Sequence, residues 1–130
     1  MAVIRSDFVG VCCREASARE EIARLWRRGY LMDPHTAVAS RVLADYRAAA
    51  GNRTPCVIVS TASPFKFGSA VLEALGVITN ETGPALMDEL AAYTGIAAPA
   101  PLASLAGKKV RFDGWVERQD MLQAVSDFLR

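Results

Sequence analysis

Val57-Ile58-Val59 is the stretch that most limits what this chain can fold into. Three β-branched residues in a row lose side-chain freedom in a helix and suit a pleated strand. The run does not alternate with polar residues, so it suits a central parallel strand covered on both faces. Helical patterns flank it. Upstream, Asp33-Pro34 offers a capping carboxylate followed by proline at the first helical position. Val38, Val42 and Tyr46, widened by Ala39 and Leu43, then form an apolar stripe that ends at Gly51. Downstream, the chain turns through Ser60-Thr61-Ala62-Ser63 and Pro64 opens another helix. Phe67, Val71, Leu72 and Leu75 form its inner face and Gly76 its stop.

The remaining segments repeat this alternation. Phe8–Cys13 reads as a first buried strand. Ser17 and Glu20 have the spacing of a capping box, and Ile22, Leu25 and Trp26 recur at helical spacing up to Gly29. A shorter helix runs from about Pro84 to Tyr93, and Ala97–Leu102 reads as an extended, proline-directed connection. Lys108–Phe112 is a last strand, followed by an amphipathic helix carrying Met121, Leu122, Val125, Phe128 and Leu129. The pattern predicts an α/β fold, a mainly parallel three-layer sheet fragment. With 130 residues, 52% of them hydrophobic, residues 1–130 suffice for one domain with a core. Three strands leave sheet edges open, so the chain reads as part of a larger sheet.

Composition excludes several classes of function. Fifteen basic residues against fourteen acidic ones give a net charge of +1, which leaves no electrostatic footprint for nucleic acid or an anionic membrane. Arg24, Arg27 and Arg28 cluster, but Glu20 and Glu21 share their helix, as on a solvated face. No apolar run approaches the ~20 residues of a membrane span. Cys12, Cys13 and Cys56 are odd in number and lack Cys-x-x-Cys spacing. They read as reduced, buried thiols of a cytoplasmic protein. With His35 as the one histidine, no metal site is predicted.

Two segments could carry chemistry. At Ser60-Thr61-Ala62-Ser63-Pro64 a parallel strand would end and a helix begin, where open α/β sheets bind ligands and helix N-termini attract anions. The structural alternative is that Ser63 caps the helix while Thr61 fills a turn. In Asp33-Pro34-His35-Thr36, His35 has the chemistry of a general acid or base, or is a polar surface group of a first helical turn. Lys66 could form a Schiff base only if placed against a carbonyl; otherwise it is an exposed helix lysine.

The run Tyr30-Leu-Met-Asp-Pro-His-Thr-Ala-Val-Ala39 resembles the Gly-Tyr-x-x-Asp-Pro-His-Thr-Ala-Val segment of threonine synthases. Val57-Ile-Val-Ser-Thr-Ala-Ser-Pro-Phe-Lys-Phe67, followed by Val71-Leu-Glu-Ala-Leu75, is similar to that family's second C-terminal signature. The basic segment and final helix match in order. The resemblance implies the C-terminal part of a fold type II pyridoxal-phosphate enzyme that converts O-phosphohomoserine and water into threonine and phosphate. It implies that Thr61, with Ser60 as the nearby alternative, faces the pyridine nitrogen, and that His35 and Thr36 lie near the site.

A threonine synthase is several times longer, and its Schiff-base lysine and phosphate-binding loop precede this region. Lys66, Lys108 and Lys109 are the only lysines and none sits in the Schiff-base motif, so the chain alone is expected to hold no cofactor and to be inactive. Its expected partner is the missing N-terminal portion or a second copy. A different class of function is a non-catalytic module with the same fold that binds a partner or self-associates. Gly68 stands where the family often has proline, a minor change at a helix turn.

Overall fold

The computed structural model describes residues 8–111 and 114–129. Helix α1 spans Glu15–Trp26. It starts earlier than the Ser17–Glu20 pair predicts, with Arg14 as an extended N-cap that makes no side-chain capping bond. Helix α2, Pro34–Ala50, starts where Asp33-Pro34 predicts. The expected stops Gly29, Gly51 and Gly76 have φ of 84°, 63° and 84°, a left-handed conformation that glycine adopts without steric penalty.

Helices α1 and α2 pack together, but not through the apolar stripe of α2. The buried residues of α2 are Thr36, Ala37 and Ser40. Facing them, Glu21 is only 3% exposed, against the solvated position expected for it. Its carboxylate accepts from Ser40 Oγ at 2.5 Å and from Arg24 at 2.6 and 2.8 Å. A buried carboxylate is tolerable only with its oxygens bonded in this way.

Pro64–Phe67 forms one 3₁₀ turn that runs into α3, Gly68–Ala74. Phe65, not Phe67, is buried here. Val71 and Leu72 of α3 join Ala18 and Ile22 of α1 and Leu90 of α4, Gly83–Thr94, in the core. Gly68 is more than a minor change: a Cβ there would lie 2.9 Å from Leu86 Cγ, so the missing side chain lets α3 approach α4. Arg19 bonds both Glu15 and Glu73, tying α1 to α3 at the surface. Ala100–Ala103 is a short helix, α5, continued by the 3₁₀ turn Ser104–Gly107, where an extended connection was expected. Proline in its first turn removes no helical bond, which is why the prolines of this stretch do not prevent a helix. After the 3₁₀ turn Arg118–Asp120, the last helix, α6, spans Met121–Phe128.

The α/β expectation is overturned: among the described residues there are six α-helices and no strand or sheet. Phe8–Cys13 and Val57–Val59 are irregular, and so are Lys108–Arg111; Phe112 lies outside the described residues. A strand exists only through the ladder it makes with a neighbour. β-branched composition fits a segment to a sheet but cannot supply the partner. Val57 and Val59 are 91% and 73% exposed, the opposite of a doubly covered strand. The two irregular apolar segments border a groove of about 500 Å³ over α2, lined by Val9, Val11, Val42, Tyr46, Val57 and Val59 among others. Apart from Val38, the predicted stripe of α2 thus faces this open groove. The thiols differ from expectation too, since Cys12 and Cys56 are exposed, although all three cysteines are unpaired. No helix among the described residues is long and apolar enough to cross a membrane.

Candidate functional site

The site grows out of the start of α2. A helix begins with N–H groups that lack partners, and Asp33 Oδ1 accepts two of them, from His35 at 2.9 Å and Thr36 at 3.2 Å. The same carboxylate holds two side chains. His35 Nδ1 lies 3.3 Å from Oδ1, and the Thr36 hydroxyl bonds Oδ2. The His35 ring also meets Phe67 edge-on, with centroids 4.9 Å apart at 60°. Thr36 Oγ1 then reaches Ser60 Oγ at 3.1 Å. This bond spans 24 residues and joins the two candidate segments.

Burial raises the pKa of the Asp33 carboxyl, but the Thr36 hydroxyl and the N–H groups of Thr36 and His35 outweigh burial and leave it below its ordinary value. Glu21 is lowered as well, mainly by the Arg24 hydrogen bond, with Ser40 assisting against desolvation. The sign follows directly. A carboxyl with a depressed folded-state pKa adds stability that is fully present above the ordinary carboxylate value of about 4 and is lost as pH falls through the folded value. The melting temperature is therefore expected to hold from neutral pH down to about pH 5 and to fall below about pH 4. Glu21→Gln should flatten that fall, as followed by circular dichroism; identical acid profiles for both proteins would remove Glu21 as a contributor.

Ser60, Thr36 and His35 come together around Asp33, a residue that sequence reading identifies as a cap and not as the common support. The spacing Asp-x-x-Thr was the available signal, because it puts a hydroxyl at the third helical position within reach of the capping carboxylate. Thr61 is exposed, and among the described residues its hydroxyl has no partner. Ser63 Oγ accepts from Phe65 N–H at 3.3 Å, so Ser63 is the cap while Thr61 makes no turn bond. Lys66, Lys108 and Lys109 are exposed. Among the described residues, no group of three or more His, Cys, Asp or Glu side chains is placed to hold a metal ion.

The hydroxyls of Ser60 and Thr61 suit one part of the pyridoxal group, its ring nitrogen, since a neutral hydroxyl can bond an unprotonated nitrogen. The carboxylate of Asp33, two hydrogen bonds away from Ser60 through Thr36, is buried and already bonded to its own helix and Thr36.

The family model "Threonine synthase, C-terminal" matches residues 36–128. Over 98 residues, 74% of this chain, the sequence is 34% identical to "Threonine synthase-like 1" of Mus musculus. Over 95 residues, 72% of the chain, it is 35% identical to the protein of the same name from Homo sapiens. These matches span 13% and 12% of the two relatives' lengths.

Proposed function

From the premise that the chain belongs to the threonine synthase C-terminal family, we propose that it forms the ring-nitrogen side of a pyridoxal-phosphate site. The complete enzyme would be a cytoplasmic lyase of threonine biosynthesis that converts O-phosphohomoserine and water into threonine and phosphate. The observation carrying this reading is the 3.1 Å bond between Thr36 and Ser60, which brings two family-like motifs to one point. The bound cofactor would supply an electron sink. A hydroxyl of this chain, from Thr61 or from Ser60 beside it, would hold the pyridine nitrogen unprotonated. Thr36 and His35 would border the cofactor and be fixed in place by Asp33. The Schiff-base lysine and the phosphate-binding loop would come from polypeptide outside these residues.

The purified chain alone is expected to release no phosphate from O-phosphohomoserine. Borohydride should fix no pyridoxal phosphate to one specific lysine. Mixing it with the lysine-bearing portion of a threonine synthase should give phosphate release. Turnover by the chain alone, with a specific borohydride-fixed lysine, would overturn the proposal.

The exposed groove over α2 favours a second reading, a non-catalytic threonine-synthase-like module that binds a partner or self-associates. Exposed apolar residues gathered on one face, here Val9, Val11, Val57 and Val59, suit an interaction surface. Sedimentation at high concentration should then reveal a dimer or larger species, whereas a compact monomer counts against self-association.

A further inference from the structure

The hydroxyls around Asp33 obey a proton count that decides which of them can donate. Thr36 Oγ1 is within bonding distance of both Asp33 Oδ2 and Ser60 Oγ. A threonine hydroxyl has one proton and donates once, while its oxygen can accept as well. Asp33 is fully buried, and a bond to an ionised carboxylate is roughly twice as strong as one between neutral groups. Ser60 is exposed and can turn to water, so leaving it unserved costs little. The Thr36 proton therefore goes to Asp33. The contact at 3.1 Å then requires Ser60 to donate to Thr36. While it donates to Thr36, Ser60 presents only lone pairs to its open side.

We propose that Asp33 is the positioning residue of the site, fixing the proton direction from Ser60 through Thr36 to its own carboxylate, so that Ser60, while it holds Thr36, meets a ligand as an acceptor. The proton direction does not depend on the cofactor reading above. A ligand group set against Ser60 in that arrangement brings its own N–H or O–H.

The test is a carbon-13 NMR titration of the Asp33 carboxyl in the full chain, in Thr36→Val and in Ser60→Ala. The series is repeated with His35→Asn, because His35 is the titratable neighbour at 3.3 Å. Thr36→Val removes the donated proton and should raise the Asp33 pKa by about one unit. Ser60→Ala should leave that pKa unchanged or slightly raised. The opposite proton direction predicts that Ser60→Ala frees the Thr36 proton for Asp33 and lowers the pKa. A fall in Ser60→Ala, or no rise in Thr36→Val, overturns the assignment. Should Thr36→Val not fold, the direction of the Ser60→Ala shift decides alone. No cofactor enters this titration, so its failure leaves the pyridoxal reading to the phosphate-release assay.

Discussion

Leu72→Ala is expected to lower the stability of the chain by about 2–5 kcal/mol, the range for emptying a buried leucine site. Leu72 is fully buried and packs in a core that also holds Ile22, Val71, Phe65 and Leu90. The methyl groups lost are both transfer energy and a cavity, because helices fixed on three sides cannot close the gap completely. Domains of this size have little to spare, with total stabilities of order 5–15 kcal/mol. A urea titration should show the midpoint moving strongly down with an unchanged slope. Leu122→Ala is the control. At 80% exposure its substitution should stay within about 0.5 kcal/mol. Equal midpoints for Leu72→Ala and the parent would mean that the core is not built around α3.

Thr61→Val should act on turnover and hardly on folding. Valine keeps the volume and removes the hydroxyl, which among the described residues bonds nothing in the chain. If that hydroxyl serves the ring nitrogen of a bound cofactor in the complete enzyme, its loss costs roughly 1–3 kcal/mol in the transition state. That corresponds to about one to two powers of ten in turnover. The melting temperature of the isolated chain should be unchanged within error. A reconstituted Thr61→Val enzyme with normal turnover and normal cofactor absorbance would remove Thr61 from the site. A drop in melting temperature with turnover intact would return it to a turn-filling role.

Helix boundaries were legible at several local signals, although the Ser17–Glu20 pair missed the start of α1. Asp33-Pro34, Gly51 and Gly76 act through the backbone of their own turn, and the helices start or stop beside them. What surrounds each helix was not legible, because burial depends on distant chain. The stripe of Val38, Val42 and Tyr46 has the period of a buried face, yet the structure buries Thr36, Ala37 and Ser40 instead. Periodicity identifies a face fit for burial and says nothing of which neighbour arrives. The same reasoning failed for Val57-Ile58-Val59, since a strand needs a second segment to pair with and side-chain preference cannot provide one. In the site, the two hydroxyl-bearing segments were legible from their residue types. Their meeting at Thr36 and Ser60 was not, as nothing in either segment encodes a contact with the other.

The Glu21–Ser40 pair between α1 and α2 has a consequence for how the two helices find their alignment. Small buried residues such as Ala37 offer a smooth surface along which another helix could slide by a turn at little loss of packing. The carboxylate forbids that movement. Slid one turn toward the C-terminus of α2, Glu21 would face Leu43 or Ala44 in place of the Ser40 hydroxyl, which bonds it at 2.5 Å. A buried carboxylate that loses one of its donors is penalised by about 1–3 kcal/mol. Arg24 comes from α1 itself and would travel with Glu21, so only Ser40 marks the correct notch. The pair works as a ratchet tooth: it adds little adhesion, but it opposes the slide toward the C-terminus of α2 that shape alone would accept.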